Sequence, residues 1–105
     1  MNVLVDFEIL PWEAGGPGVR AKSVVRHGRR ARLVEFSEGF AEPGWCTSGH
    51  EGQVLEGQFT LRFKSGGSLR LNHGDVVLIP AGEEQAHRPE MQPGDRALLL
   101  LFEDV

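Results

Sequence analysis

Three side chains in this sequence have the types and spacing to do chemistry together: Cys46, His50 and His87. Cys46 and His50 stand four residues apart in Gly44-Trp45-Cys46-Thr47-Ser48-Gly49-His50, on the approach to a strand. His87 follows thirty-odd residues later, after the turn-forming Pro80-Ala81-Gly82. One thiolate and two imidazoles suit Zn and are compatible with Fe, Ni or Cu, and three protein ligands leave a coordination position open for a substrate or water. Four residues of extended strand span about 13 Å, too far for two ligands of one ion, so a shared site requires Thr47-Ser48-Gly49 to fold back.

Two other readings of the same residues stay open. An imidazole next to Cys46 can favour the thiolate and make it a nucleophile, although no motif around it matches a cysteine-hydrolase pattern. The bland reading has Cys46 packing as a small apolar group, His50 in a buried hydrogen-bond network and His87 in an exposed loop. Trp45, Gln53 and Gln85 are candidate pocket residues. Glu51, Glu83, Glu84 and Gln85 could act as base, orienter of a ligand or substrate contact, although Glu83 and Glu84, in a turn, are closer to ordinary polar loop surface. Arg26, Arg29, Arg30 and Arg32 surround the Gly28 turn and could hold an anion, but their alternation favours a solvated hairpin. His27 and His73 fall in turns and are left out of the site.

These groups need a scaffold, and the rest of the chain describes one. Glycine (14) and proline (6) separate short apolar stretches, with no helical period longer than a turn or two, which is the punctuation of an all-β chain. The pattern predicts strands near Val3 to Ile9, Val19 to Arg26 and Ala31 to Phe36, with a loop over Pro11 to Gly18 and a turn at His27-Gly28. From Gln58 to Lys64, Phe59, Leu61 and Phe63 alternate with polar residues, so one face is buried and the other wet. Ser65-Gly66-Gly67 makes a hairpin to Leu69 and Leu71. The continuous apolar runs Val76 to Ile79 and Ala97 to Phe102 read as strands covered on both faces. Seven to nine short strands in 105 residues require a sandwich or a closed barrel.

Composition narrows the partners. A net charge of −4, with 11 basic and 15 acidic residues, disfavours a nucleic-acid phosphate backbone as ligand. Asp6 and Glu8 interrupt the opening apolar residues, so no leader is expected, and no stretch approaches a membrane span. A single cysteine excludes an internal disulfide. The expectation is a cytoplasmic protein without membrane or nucleic-acid contact.

Val54-Leu55-Glu56-Gly57, the Phe59 to Phe63 alternation, and Gly74-Asp75-Val76 leading to Ile79-Pro80-Ala81-Gly82 and His87 resemble the two motifs of the cupin superfamily. The resemblance covers about residues 32–89 and implies one cupin domain over 1–105: a jelly-roll β-barrel, or double-stranded β-helix, often dimeric and often holding Fe, Mn, Ni, Cu or Zn. Counting back from Gly57, His50 stands where the family has glutamate, Cys46 where it has its second histidine and Gly44 where it has the first. Gly74, Pro80 and Gly82 match the second motif, and His87 arrives two residues late. The resemblance implies a homodimer with a small-molecule ligand in the barrel. That ligand is the substrate of a metal-dependent oxygenase, isomerase or lyase, or a sugar, organic acid or other metabolite bound without catalysis. A barrel serving only partner association is a third reading.

Overall fold

The computed structural model describes residues 3–105. Eight strands form one antiparallel system: β1 (Glu13–Ala14), β2 (Val19–Arg26), β3 (Arg29–Phe36), β4 (His50–Phe63), β5 (Ser68–Asn72), β6 (Val76–Ile79), β7 (His87–Glu90) and β8 (Arg96–Asp104). The order β1-β2-β3-β8-β4-β5 leaves β6 and β7 also paired to β4. The fold is all-β, of the jelly-roll kind.

β4 is the spine. Its first half runs between β8 and β6, through pairs such as Gly52 with Leu101 and with Val77. Its second half runs between β7 and β5, as at Leu61 with Pro89 and with Leu69. The pairing with β8 is interrupted by an irregularity between Val54 and Glu56 and resumes as far as Gln58, with Gly57 at φ 80°. A Cβ at Gly57 would lie 1.8 Å from the Arg96 carbonyl oxygen, so this position tolerates only glycine. The Val-Leu-Glu-Gly motif is thus the bend by which one strand serves both layers.

Inward-facing residues of every layer meet in a core of Val34, Phe36, Val54, Phe59, Leu61, Leu71, Ala97, Leu99 and Leu101. Phe36 stacks in tilted contact with Phe40 and Phe59, at centroid separations of 4.9 and 6.0 Å. Each fully buried large side chain, Phe59 and Val54 foremost, contributes about 1.5–3 kcal/mol relative to exposure.

Three local expectations are corrected. Val3 to Ile9 is not a strand: Asp6 accepts a hydrogen bond from the Glu8 amide (3.0 Å) and nucleates a 3-10 turn over Phe7–Ile9 instead. The Gln58 to Lys64 strand is the second half of the much longer β4. Val76 to Ile79 is covered on one face only, because Val77 and Ile79 pack on the core while Val76 and Leu78 are 65% and 76% exposed. Edge position explains this, since none of the described residues lies over the outer side of β6.

Candidate metal centre

Cys46 and His87 are tied together by backbone before any side chain is considered. They form an isolated antiparallel bridge, the Cys46 amide donating to the His87 carbonyl (2.8 Å) and the His87 amide to the Cys46 carbonyl (3.0 Å). His87, the first residue of β7, is buried at 4% exposure and does not sit in an exposed loop. From Cys46 the chain bends through Thr47-Ser48-Gly49 and enters β4 at His50. The bend is held by the Gly82 amide donating to the Thr47 carbonyl (2.9 Å). It passes so close to β6 that a Cβ on Gly49 would lie 2.9 Å from the Ala81 nitrogen. The fold-back that a shared site demands is therefore built by two glycines and one backbone bond.

The ligand atoms of Cys46, His50 and His87 all lie within 4.8 Å of one another. Cys46 Sγ is 3.4 Å from His50 Nε2, and the two imidazole rings meet edge to face with centroids 5.3 Å apart. A tetrahedral ion with ~2.3 Å to sulfur and ~2.0–2.1 Å to nitrogen sets those two ligand atoms about 3.5 Å apart, so the Cys46–His50 pair already has the required spacing.

Tautomers decide which nitrogens can bind. His87 Nδ1 donates to the Gln85 carbonyl (2.8 Å), and because a carbonyl only accepts, the lone pair is on Nε2. His50 Nδ1 lies 2.9 Å from Glu103 Oε2, within ion-pair distance but out of line for a well-formed hydrogen bond. Burial pushes the His50 imidazole below its usual range; the Glu103 carboxylate opposes this, while His87 and Arg32 reinforce it. A neutral imidazole is the form that ligates metal. A cysteine sulfur and two imidazole nitrogens on one wall form a donor set that fits a divalent transition metal.

The three residues line a cavity of about 400 Å³ between the sheets, whose other walls are mainly core side chains such as Val34, Phe36, Phe59 and Leu99. Arg32 reaches the same cavity. A second, open groove of about 630 Å³ lies along the other side of His50, lined by Arg30, Ser48, Phe102 and Glu103.

The remaining candidates are dispersed. Trp45 stacks under the Arg88 guanidinium (4.2 Å) rather than lining the cavity. Gln53 borders the cavity, but it is exposed and its amide donates to the Gly74 carbonyl (3.2 Å), which holds the β5–β6 turn. Gln85 is exposed and contributes only its backbone carbonyl, to His87. Glu51 pairs with Arg29 on the surface. The arginines do not form a uniformly solvated hairpin. Arg29 reaches Asp104 (2.7 Å) on the surface, whereas Arg30 and Arg32 turn inward to Glu103, at 3.5 and 2.8 Å.

Glu103 is the residue that the sequence pattern conceals. It shares inward parity with Ala97, Leu99 and Leu101, but the apolar run ends at Phe102 and the predicted strand stops there. Extending the alternation by one residue would place its carboxylate inside.

No protein-family model matches the chain, and no curated protein sequence does. Solved structures do match. The polyketide cyclase RemF from Streptomyces resistomycificus superposes with a TM-score of 0.79 at 21% identity, over 99% of this chain and 80% of its own. KdgF from Halomonas sp. gives 0.73 at 24% identity, covering 93% and 91%. An RmlC-like cupin from Shewanella frigidimarina gives 0.73 at 18%, covering 99% and 91%. These likenesses are of fold: the chain folds as these proteins do, an RmlC-like cupin among them.

Proposed function

We propose that this protein is a metal-dependent cupin enzyme that binds one divalent transition ion, from among Zn, Fe, Mn, Ni and Cu, through Cys46, His50 and His87 and acts on a small organic molecule in the barrel. The observation that carries the reading is the convergence of one thiol and two imidazoles on the wall of a cavity of ligand size, with His87 Nδ1 bonded to a backbone carbonyl and His50 Nδ1 beside the Glu103 carboxylate. A bound ion supplies Lewis acidity or an oxygen-binding centre for an oxygenase, isomerase or lyase reaction. The chain's own part is positional. The Cys46–His87 bridge fixes two donors relative to each other, the Gly49 bend sets the third, and the apolar walls exclude water from whatever occupies the cavity. That a polyketide cyclase has this fold supports the idea that such a barrel can house catalysis, and says nothing about which reaction runs here.

Non-catalytic binding of a metabolite is the second reading, favoured by the predominantly apolar lining of the cavity. The two readings part on metal content. Untagged protein purified without chelators should carry close to one equivalent of transition metal, and a Cys46→Ala, His50→Ala double variant should carry none. A folded wild-type protein that takes up none of the five ions would leave only the binding reading.

The proposal includes a single domain over 1–105 acting as a cytoplasmic homodimer. Exposed Val76, Leu78 and Phe102 on the outer side of β6 and β8 support a covered face there. A monomer mass independent of concentration would remove the dimer.

A further inference from the structure

Glu103 is an expensive residue to keep. Its carboxylate is only 9% exposed on the inner face of β8, and burying a charge is costly unless partners compensate it. One guanidinium would suffice for charge neutrality, and two, of Arg30 and Arg32, approach it. A third group, His50 Nδ1 at the start of β4, also lies 2.9 Å from it. More donors surround this carboxylate than it aligns with, since Arg32 Nε and His50 Nδ1 both lack an in-line acceptor among the described residues.

The two imidazoles of the centre are held differently. His87 Nδ1 is fixed by a backbone carbonyl, which no substitution removes. His50 Nδ1 faces a side chain, so its tautomer and ring orientation depend on one residue. Nε2 of His50 is the atom beside the Cys46 sulfur, and it offers a lone pair there only while the proton resides on Nδ1.

We infer that Glu103 is the positioning residue of the centre: it holds the His50 ring with its proton on Nδ1 and Nε2 directed at Cys46. The role at a metal rests on the proposed function above, but the tautomer is a property of the metal-free protein and can be read without any ion. Arg30 and Arg32 complete the device. Their guanidiniums approach the Glu103 carboxylate at 3.5 and 2.8 Å and hold it beside the ring.

The test uses nitrogen-15 NMR of the imidazoles in metal-free protein at pH 7.5, together with Co²⁺ titration. In wild type both His50 and His87 should show the Nδ1–H tautomer. In Glu103→Leu, His50 should move to a mixture or to Nε2–H while His87 keeps its signature, which also reports that the bridge to Cys46 is intact. Glu103→Gln, which retains an acceptor oxygen, should restore the His50 tautomer. Co²⁺ affinity should fall about 10- to 100-fold in Glu103→Leu and recover in part in Glu103→Gln. If Glu103→Leu does not fold, Glu103→Asp keeps the charge while withdrawing the oxygens from the ring, and should give the same changes to a lesser degree. A wild-type His50 carrying its proton on Nε2, or a tautomer indifferent to Glu103→Leu or Glu103→Asp, overturns the inference. Absence of Co²⁺ binding to wild type with the tautomer pattern as expected would remove the metal reading and leave the positioning role standing.

Discussion

Two buried carboxylates sit on the same strand system and are treated in opposite ways. Asp95, just before β8, is saturated. Arg70 grips it with two parallel bonds, Nη1 to Oδ2 at 2.8 Å and Nη2 to Oδ1 at 2.6 Å, and the Gln92 amide donates to Oδ2 at 2.9 Å. Arg70 Nη1 also donates to Thr60 Oγ1 (3.1 Å), which locks the clamp to β4. Glu103, near the end of β8, has two arginines and a histidine around it, with its shortest approaches out of line. Planar bidentate pairing backed by a backbone amide is a structural joint. An under-aligned carboxylate against an imidazole that faces a thiol is a site still able to respond to a ligand. The difference separates what holds this barrel together from what it presents to a cavity.

The sharpest way to break the comparison is to break the strand that connects the two ends. Gly57→Ala puts a Cβ into the Arg96 carbonyl at a positive-φ position, and should cost more than ~3 kcal/mol in urea unfolding, disturbing clamp and centre together. Asp95→Ala should disable the clamp alone. It leaves the Arg70 guanidinium and the Gln92 amide without their acceptor, for a loss of roughly 2–3 kcal/mol with metal uptake unchanged. The clamp also has a pH signature. The Arg70 hydrogen bonds, chiefly, hold the Asp95 carboxyl down from 3.8 to about 2, aided by the Gln92 amide and against the cost of burial. A depressed carboxyl stabilises the fold fully above about pH 4 and loses that contribution as the pH falls towards the folded value. Asp95→Asn should therefore flatten the acid limb of the stability profile between about pH 4 and 2.

Glu103→Gln should reverse the pattern, costing under ~1 kcal/mol of stability because the ion pairs it weakens are poorly aligned in the wild type. The smallest effect belongs to the surface pairs. Arg29→Ala removes ion pairs to Asp104 and Glu51 that are open to solvent, and should leave the urea midpoint and metal uptake unchanged within measurement error. An Arg29 effect as large as that of Asp95 would mean that charge count, rather than alignment and burial, sets the difference between the two ends.

The architecture was largely legible in the sequence because it rests on local chemistry. Alternation at Phe59, Leu61 and Phe63 requires a half-buried strand, and Gly57 and Gly66-Gly67 occupy backbone positions that other residues strain to adopt. Cys46, His50 and His87 were nameable as a candidate set because their side chains have few other uses in combination. What the sequence could not show is produced by pairing between distant segments. The Cys46–His87 bridge joins residues forty-one positions apart, 87 against 46, and the direction in which Trp45 turns depends on Arg88 across that bridge. Glu103 was hidden for a different reason: a charged residue closing an apolar run reads as the end of a strand, and the register with Arg30 on β3 shows that the inward alternation continues through it. Val76 and Leu78 mislead in the converse direction, because an apolar run describes what a strand can bury and not whether a neighbour exists to cover it.

The central claim is that Cys46, His50 and His87 hold one ion together, and Co²⁺ titration of the purified metal-free protein tests it most directly. The account predicts saturation at one equivalent with an intense near-ultraviolet thiolate-to-cobalt band, abolished in Cys46→Ser and weakened at least 100-fold in affinity in His50→Ala and in His87→Ala, with Asp95→Asn binding as wild type does. No band at saturating Co²⁺, or a band that survives Cys46→Ser, would contradict it.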